Sequence, residues 1–478
     1  MPCVPYDARM DRRALDRSLA YVDSWLGWRC PRADVTGCAV AVSLRGRVLL
    51  SRAYGYADAS SQKALRPDDV FRVASHSKSF TATGVLQLAE RGAVRLDDPV
   101  ARHLGWLAAH RDPRMASVTV RQLLDHGAGI VRDGSDADYW QLGAPFPDTA
   151  ALEEDVLAAD LVVDPNVSMK YSNIGYGLLG LVIEAASGLT YAEYLDKHVV
   201  GPLQLSATAA DLVPALRDRS VAGHGRREAD GTRVIVPEVG TRALSAATGV
   251  ASTAPDLCRF YSALLPGSRK LLSEESKREM QRVHFRVHRP FAGDEDYGLG
   301  LSLLKVGERR TFGHSGGFPG QVSRTIADPK EGFVVSVLVN CADGPATDVA
   351  KGIVKVIDFF QARASATVPP SLRRLEGRYV GLFGAVDLVA TGETMAAGDP
   401  DAWDPFAEAS LLERVGPATL RIADDGSYGS PGELVCFQVD GGSVTAMRWA
   451  GMTLWSEEVW PEVRRRRTGS TFSARGPW

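Results

Sequence analysis

A serine and a lysine stand one helical turn apart in the segment Ser75-His76-Ser77-Lys78. Apolar residues follow at helical spacing, so both side chains are expected on one helix face. A serine hydroxyl becomes a nucleophile when a base takes its proton, and a partly buried, neutral lysine can be that base. The N–H groups of a helix N-terminus would stabilise the negative charge that develops there. The alternative is that Ser75 is an N-cap next to a solvated lysine.

A second group of polar residues, Tyr171-Ser172-Asn173, directly precedes a predicted helix that begins near Tyr176. A tyrosine close to a lysine can pass a proton to a leaving group, and an asparagine can orient the lysine and a substrate carbonyl. The alternative interpretation is a turn that caps the next helix.

A glycine-rich segment, Gly313-His314-Ser315-Gly316-Gly317, lies between two strand-like stretches. Glycines at a strand edge allow a substrate to approach the backbone, and a free N–H there can complete an oxyanion hole. His314 would reach into the same cleft. The alternative is a glycine-rich turn with a histidine on the surface.

The elements that would position these groups follow from periodicity. Alternating apolar residues from Val40 to Tyr56 predict a hairpin, and three later stretches, Tyr297–Val306, Gln321–Ala327 and Gly332–Asn340, are strand-like. A first helix is expected over Asp11–Leu26, with Gly27 as its end. Strands at both ends with helices between them predict an α+β fold, in which one antiparallel sheet is flanked by helices and residues 95–290 form an α-rich lobe.

The composition changes after residue 362. Residues 363–371 contain Ala, Ser, Thr and Pro and are predicted to be a linker between a first domain (1–362) and a second (372–478). Short strand candidates separated by Gly, Asp and Pro predict that the second domain is a small all-β barrel.

The overall composition is that of an ordinary globular protein of 478 residues with a net charge of −3. This charge argues against a nucleic-acid or membrane-surface partner and leaves a small molecule or peptide as the expected substrate. The six cysteines form no CxxC pair, so neither a metal nor a cofactor is expected. Charges at Asp7, Arg9 and Asp11 precede any apolar block, so a cytoplasmic location is expected. The oligomeric state stays open.

Taken together, the three motifs in this order resemble the class C β-lactamase-like branch of the serine β-lactamase and penicillin-binding protein superfamily, which includes D-aminopeptidases, esterases and D,D-peptidases. The likeness covers roughly residues 8–360. Four further segments support it: Tyr54–Asp58, Phe71–Ala74, Leu123–Gly127 and Gly249–Thr253. The C-terminal domain is similar to the lipocalin-like barrel of some of these hydrolases at Leu375–Tyr379 and Gly451–Thr453.

This resemblance implies a role for each motif residue. Ser75 would be acylated, with Lys78 as proton acceptor, Tyr171 as proton shuttle and Asn173 orienting Lys78. The N–H groups of Ser75 and Gly317 would form the oxyanion hole, and His314, Ser315 and Gly316 would line the substrate side.

Many relatives have lysine where His314 stands, and a mostly neutral histidine is a weaker anchor for the carboxylate of a β-lactam. The resemblance therefore favours a serine hydrolase or acyltransferase acting on D-amino acid peptides or amides. The alternatives are a carboxylesterase or weak β-lactamase, a thioesterase of the penicillin-binding-protein type that cyclises a nonribosomal peptide, and a non-catalytic sensor.

Overall fold

The computed structural model describes residues 10–288, 294–364, 367–423 and 430–468. Cys3, Asp7, Arg9 and two residues of the predicted linker (365 and 366) lie outside the described residues. The chain divides into two compact units: a larger unit, Ala33–Lys351, and a barrel unit made of the described parts of Met1–Arg32 and Gly352–Trp478. The predicted domain limits at 362 and 372 stay a prediction.

Helices occur in both units. In chain order the α-helices are α1 (Arg12–Arg32), α2 (Ser77–Glu90), α3 (Val120–Leu124), α4 (Thr149–Ala158), α5 (Asn173–Ser187), α6 (Tyr191–Leu195), α7 (Gly201–Leu203), α8 (Pro214–Arg217), α9 (Ala254–Ala263), α10 (Glu274–Met280), α11 (Ala346–Gln361), α12 (Pro370–Arg373) and α13 (Trp460–Thr468).

The strands form one large sheet, two short ladders and a barrel. In chain order they are β1 (Gly37–Leu44), β2 (Arg47–Asp58), β3 (Lys63–Ala64), β4 (Phe71–Arg72), β5 (Gly223–Arg227), β6 (Arg233–Val236), β7 (Ala251–Ser252), β8 (Glu295–Tyr297), β9 (Ser302–Val306), β10 (Arg309–Phe318), β11 (Gln321–Ala327), β12 (Phe333–Val339), β13 (Gly377–Gly381), β14 (Gly384–Ala390), β15 (Thr394–Gly398), β16 (Ser410–Gly416), β17 (Thr419–Ile422), β18 (Leu434–Asp440), β19 (Ser443–Trp449) and β20 (Met452–Ser456).

The large sheet joins the two ends of the larger unit. Its eight strands are antiparallel and run in the order β3-β2-β1-β12-β11-β10-β9-β8. The central strands β1 and β12 are buried almost throughout, which explains why their sequences are continuously apolar rather than alternating. The predicted α+β fold with a terminal-strand sheet is confirmed.

The helical lobe is organised around α2 and α5. Nearly every residue of α2 up to Leu88 is buried, and α5 carries an unbroken apolar run at its centre. A Cβ at Gly84 would lie 3.2 Å from the side chains of Ile183 and Tyr194, so glycine lets these elements pack closely. Among the described residues, no single helix has the length and apolar character to cross a membrane, although the bent pair formed by Asn173–Ser187 and Tyr191–Leu203 meets that test together.

Three local predictions were wrong. The first helix does not end at Gly27 but continues to Arg32, because the residues beyond the glycine pack as well: Trp28 and Cys30 are buried. The stretch 297–306 contains the end of β8 and all of β9, separated by a turn at Gly300, whose φ is +67°. The alternative of a glycine-rich turn at 313–317 is wrong, because this segment lies within β10 and each of its glycines pairs with β11.

The barrel unit contains a closed barrel of eight strands, β13 to β20, so the predicted C-terminal all-β barrel is confirmed. Apolar side chains such as Leu388, Met395 and Leu412 form its buried core. Within the same unit, α1 is held to the barrel by a hydrogen bond from the hydroxyl of Tyr21 to Asp387 (2.9 Å). The likeness to a lipocalin stays a prediction.

Candidate active site

Ser75 lies in a tight 3-10 turn, Ala74–His76, directly before α2. Ala74 has a φ of +50°, which an L-residue adopts only when its surroundings hold it there. Ser77 holds this turn, because its hydroxyl donates to Ala74 O (2.6 Å) and accepts from Val250 N (2.9 Å). The flanking residues are buried while Ser75 is half-buried. The N-cap of α2 is His76, so the interpretation of Ser75 as a helix cap is wrong.

Lys78 is fully buried in the first turn of α2. Its Nζ lies 3.2 Å from Ser75 Oγ, 2.7 Å from Asn173 Oδ1 and 2.8 Å from Ala247 O. The last two atoms can only accept hydrogen bonds. A neutral amine has two hydrogens, which these two oxygens can take, so that the lone pair is left for the hydroxyl of Ser75. The geometry suits a base rather than a surface cation.

Burial also lowers the pKa of Lys78 well below its ordinary value. The carboxylate of Asp133 acts in the opposite direction, and the guanidinium of Arg132 adds to the lowering. Because an ammonium loses its hydration in such a site, the uncharged amine is favoured. The lysine is therefore prepared to accept a proton.

Tyr171 completes the immediate surroundings of the serine. Its hydroxyl donates to Ser75 Oγ at 2.8 Å, and Lys78 Nζ lies 4.7 Å from the centre of its ring. The segment is held by His126, whose Nδ1 accepts from Ser172 N (3.1 Å) and whose carbonyl accepts from Lys170 N (2.8 Å). The His126 ring also packs on the Tyr171 ring at 4.2 Å between centroids.

Asn173 is the first residue of α5, and Ser172 caps that helix by accepting from Gly175 N. The predicted capping turn is thus present, yet Asn173 is buried and contacts Lys78 as well. Its Nδ2 donates to Asp133 Oδ1 at 2.6 Å. The same residue therefore begins a helix and bridges the lysine to a carboxylate.

Strand β10 passes alongside the chain that leads into Ser75. A Cβ on Gly316 would lie 2.2 Å from Val73 O and 2.3 Å from Ser323 Oγ, so only glycine permits this approach. At Gly317 an added Cβ would meet nothing within 4 Å, which places this residue at an open edge.

The register of β10 assigns a direction to the Gly317 amide. Two-residue turns join β9 to β10 and β10 to β11. The residue pairs that flank these turns are Val306 with Arg309 and Phe318 with Gln321, and such closing pairs are hydrogen-bonded. Since hydrogen-bonded pairs alternate along an antiparallel ladder, the N–H of Gly317 points away from β11. On that side β9 pairs only as far as Gly313. The amide can therefore serve an oxyanion, as can the N–H of Ser75 at the start of its turn.

His314 does not present a free nitrogen to the cleft. It is buried, with Nδ1 2.6 Å from Ser315 O and Nε2 3.0 Å from the hydroxyl of Tyr297. Burial lowers the pKa of His314 to about 3. The neutral ring then donates from Nδ1 and accepts at Nε2. Its predicted role on the substrate side, like those of Ser315 and Gly316, stays a prediction.

The structure brings together Ser75, Lys78, Tyr171 and Asn173, and it places β10 beside them. Sequence reasoning assigned no role to Asp133, which contacts Asn173, to His126, which packs on Tyr171, or to Tyr297, which contacts His314. His126 belongs to a segment that supported the family resemblance, whereas Asp133 and Tyr297 carried no signal. In the described part of the chain, no group of three or more His, Cys, Asp or Glu residues could hold a metal ion.

A family model described as Beta-lactamase matches residues 14–356, which is most of the chain. The chain belongs to the β-lactamase family. Members of this family are largely serine hydrolases that work through an acyl-enzyme.

Two curated proteins are similar in sequence to this β-lactamase-family chain. It is 30% identical to penicillin-binding protein 4* of Bacillus subtilis (strain 168) over 303 residues, covering 59% of this chain and 63% of that protein. It is 26% identical to protein flp of Staphylococcus aureus (strain MW2) over 197 residues, covering 41% and 39%. The matches thus span less than two thirds of these relatives.

Solved structures give the same fold. The octameric penicillin-binding protein homologue from Pyrococcus abyssi matches with a TM-score of 0.63 at 21% identity, covering 91% of this chain and 99% of that chain. A D-stereospecific amidohydrolase from Streptomyces sp. matches with a TM-score of 0.56 at 26% identity, covering 70% and 95%. EstCE1, a hydrolase with promiscuous acyltransferase activity, matches with a TM-score of 0.59 at 20% identity, covering 72% and 98%.

Proposed function

We propose that this protein is an acyl-serine hydrolase or acyltransferase that uses Ser75 to attack an amide or ester carbonyl. The observation that carries the proposal is the position of the Ser75 hydroxyl, 3.2 Å from Lys78 Nζ and 2.8 Å from the hydroxyl of Tyr171. A nucleophile in contact with a buried base and a second proton carrier is the arrangement that acyl transfer needs.

In the acylation step, Lys78 takes the proton of Ser75 while Oγ bonds to the carbonyl carbon. The carbonyl oxygen becomes an oxyanion, which the N–H groups of Ser75 and Gly317 would hold. When the intermediate collapses, the bond to the leaving group breaks, and the proton from Lys78 reaches the leaving group through Tyr171. Water or an amine then attacks the acyl-enzyme in the reverse sequence and releases Ser75.

We further propose that amides or peptides with a D-amino acid are the substrates. The similarity to the Streptomyces D-stereospecific amidohydrolase, at 26% identity, supports this choice. The uncharged His314 also supports it, because the site has no cation at the position where a lysine would hold the carboxylate of a β-lactam. Ester hydrolysis and a non-catalytic sensor are outcomes that the same experiment separates. Cyclising thioester transfer uses the same acyl-serine and differs only in the amine that accepts the acyl group.

The test is the mass of the intact protein after brief exposure, in separate reactions, to activated esters of a D- and an L-amino acid, to a simple acetyl ester and to a penicillin, with Ser75→Ala as the control. We expect an adduct from the D-ester that is absent in the variant. A faster adduct from the L-ester or a simple acetyl ester would favour an esterase. A long-lived adduct from penicillin alone would favour a penicillin-binding peptidase, and no adduct or turnover with any reagent would refute the proposal.

A further inference from the structure

The loop before α4 is fastened to the start of α5. The carbonyl of Arg132 accepts from Asn173 N (2.8 Å) and Ile174 N (3.2 Å), so it satisfies N–H groups that a helix N-terminus otherwise leaves free. The hydroxyl of Ser172 donates to Val131 O (2.7 Å). These bonds set the next residue of the loop, Asp133, directly against the side chain of Asn173.

The carboxylate of Asp133 is largely buried, with its side chain 12% exposed. Its Oδ1 accepts from Asn173 Nδ2 (2.6 Å) and from Trp140 Nε1 (2.9 Å), and its Oδ2 lies 3.0 Å from Arg132 Nε. An ionised carboxylate only accepts hydrogen bonds, so the amide nitrogen of Asn173 has to face it. The amide oxygen must then face Lys78, where it lies 2.7 Å from Nζ.

The orientation of this amide decides whether Lys78 can act as a base. In the observed orientation the two hydrogens of a neutral amine go to Asn173 Oδ1 and Ala247 O, and its lone pair is directed at Ser75. A reversed amide would instead direct an N–H at that lone pair. Lys78 would then have no site for the proton of Ser75.

We propose that Asp133 is a positioning residue for acyl transfer, fixing the Asn173 amide so that Lys78 keeps its lone pair for Ser75. The inference rests on the proposed function and deepens it. Asp133 itself does not touch the reacting atoms.

The charge of Asp133 has a second effect that can be measured separately. The titratable groups that face Lys78 come from several elements: Arg132 and Asp133, His126, Tyr171, Tyr176 on α5, and His314 on β10. Of these, Asp133 raises the pKa of Lys78 and Arg132 lowers it, against a larger lowering by burial. Removing the carboxylate alone would therefore lower the pKa of Lys78 further.

Two variants separate orientation from charge. Asp133→Asn keeps an oxygen that can accept from Asn173 Nδ2, whereas Asp133→Ala removes the acceptor and the charge together. We measure kcat/KM for p-nitrophenyl acetate between pH 5 and 9. For Asp133→Ala we expect a fall of roughly 100-fold, as misplacement of a catalytic group produces. For Asp133→Asn we expect less than about a tenfold fall.

The pH profile gives the second readout. Lys78 must be neutral to act, so kcat/KM rises with pH as Lys78 loses its proton. A lower pKa moves this ascending limb to lower pH, and we expect the shift in Asp133→Asn as well as in Asp133→Ala. If the alanine variant fails to fold, Asp133→Leu takes its place, because it also removes the acceptor and the charge while filling more of the buried space.

The matched control is Asp112→Asn, which alters another carboxylate of the same lobe. Asp112 is buried, and within the described residues its carboxylate bonds to Arg114 (2.6 Å) and to Leu161 N (3.1 Å) rather than to a residue of the site. We expect this variant to lower Tm and to leave the pH profile unchanged. Equal losses in both Asp133 variants, or a fall in Tm with kcat/KM and pH profile unchanged, would overturn the positioning role. Absence of Ser75 acylation in the wild type would instead overturn the proposed function.

Discussion

Replacing Lys78 by methionine tests the assumption on which the chemistry rests, that the lysine is neutral in the folded protein. Methionine matches the length of the buried stem and carries no charge. The substitution abolishes acylation of Ser75 because the base is gone. Its informative effect is on stability, through the proton that the lysine binds only when the chain unfolds.

The sign follows from the direction of the pKa shift. The folded pKa of Lys78 is lowered by burial, so below the ordinary value near 10.4 the unfolded chain holds one more proton than the folded chain. Falling pH then favours unfolding by about 1.4 kcal/mol per pH unit, as long as the folded lysine stays neutral. From pH 10 to pH 8, allowing for partial protonation at pH 10, the wild type should lose about 2.5 kcal/mol relative to Lys78→Met.

The difference in slope is the quantity to measure, because the absolute stability contains opposing contributions. The methionine variant leaves Asn173 Oδ1 and Ala247 O without the lysine donor, which costs about 1–3 kcal/mol for each unsatisfied group. This cost does not depend on pH in the range used.

The assay measures the free energy of unfolding in urea at pH 8, 9 and 10. It is taken from the unfolding transition whose midpoint is shifted by Lys78→Met. Lys277→Met is the matched control: Lys277 is equally buried but pairs with Glu274 at 2.5 Å, so its loss should destabilise the protein at each pH. If the stability difference between the wild type and Lys78→Met is the same at pH 8 and pH 10, Lys78 is charged in the fold and the base assignment is refuted.

Three further predictions concern the surroundings of the serine. Gly316→Ala should slow acylation by roughly 100-fold, because the new Cβ would push β10 away from Val73. The control, Gly105→Ala, adds a Cβ in open space and should leave the acylation rate unchanged. Equal acylation rates of the two variants, measured by intact mass, would contradict this. His126→Phe should leave Ser172 N–H without its acceptor and lower the free energy of unfolding in urea by about 1–3 kcal/mol. It should also lower kcat more than it changes KM, and an unchanged kcat would count against the role of His126. The pKa of His314 is about 3 in the fold, so the unfolded chain binds a proton first as pH falls through 6.5. From pH 6.5 to 4.5, allowing for partial protonation at pH 6.5, the wild type should lose about 2.3 kcal/mol of unfolding free energy relative to His314→Gln. Parallel curves of stability against pH would show that His314 is not kept neutral.

The fold was predictable where a local sequence pattern determined the structure. The apolar run of β12 is a buried strand as predicted, whereas β1 was predicted from alternating residues and is buried on both faces. Gly188, directly after α5, adopts the left-handed conformation typical of a helix end (φ +71°). The first helix was predicted to end at Gly27, because glycine often ends a helix. The sequence did not show that the aromatic residue beyond it is buried. Packing of Trp28 overrides the local preference of a glycine to end a helix.

The candidate site was predictable to the extent that its residues stand close together in sequence. Ser75 and Lys78 lie one turn apart and were paired by helical spacing alone. Asp133 reaches Asn173 across 40 residues, and Tyr297 reaches His314 through the pairing of strands, so neither contact leaves a local pattern. An aspartate in a polar loop looks like any solvated turn residue until the loop is seen to be anchored on α5.

The two interpretations of Ser75-His76-Ser77-Lys78, an acyl-transfer site and a helix cap, require different structures. A helix cap with a solvated lysine requires neither burial nor strain. Here Ala74 is held at a positive φ, and Lys78 is fully buried with its pKa lowered. Both features destabilise the folded chain, by about 1–3 kcal/mol for the backbone conformation. A helix cap with a solvated lysine explains neither feature, whereas a base that has to be neutral beside Ser75 accounts for the burial of Lys78, so the two features together argue for acyl transfer rather than for a structural role.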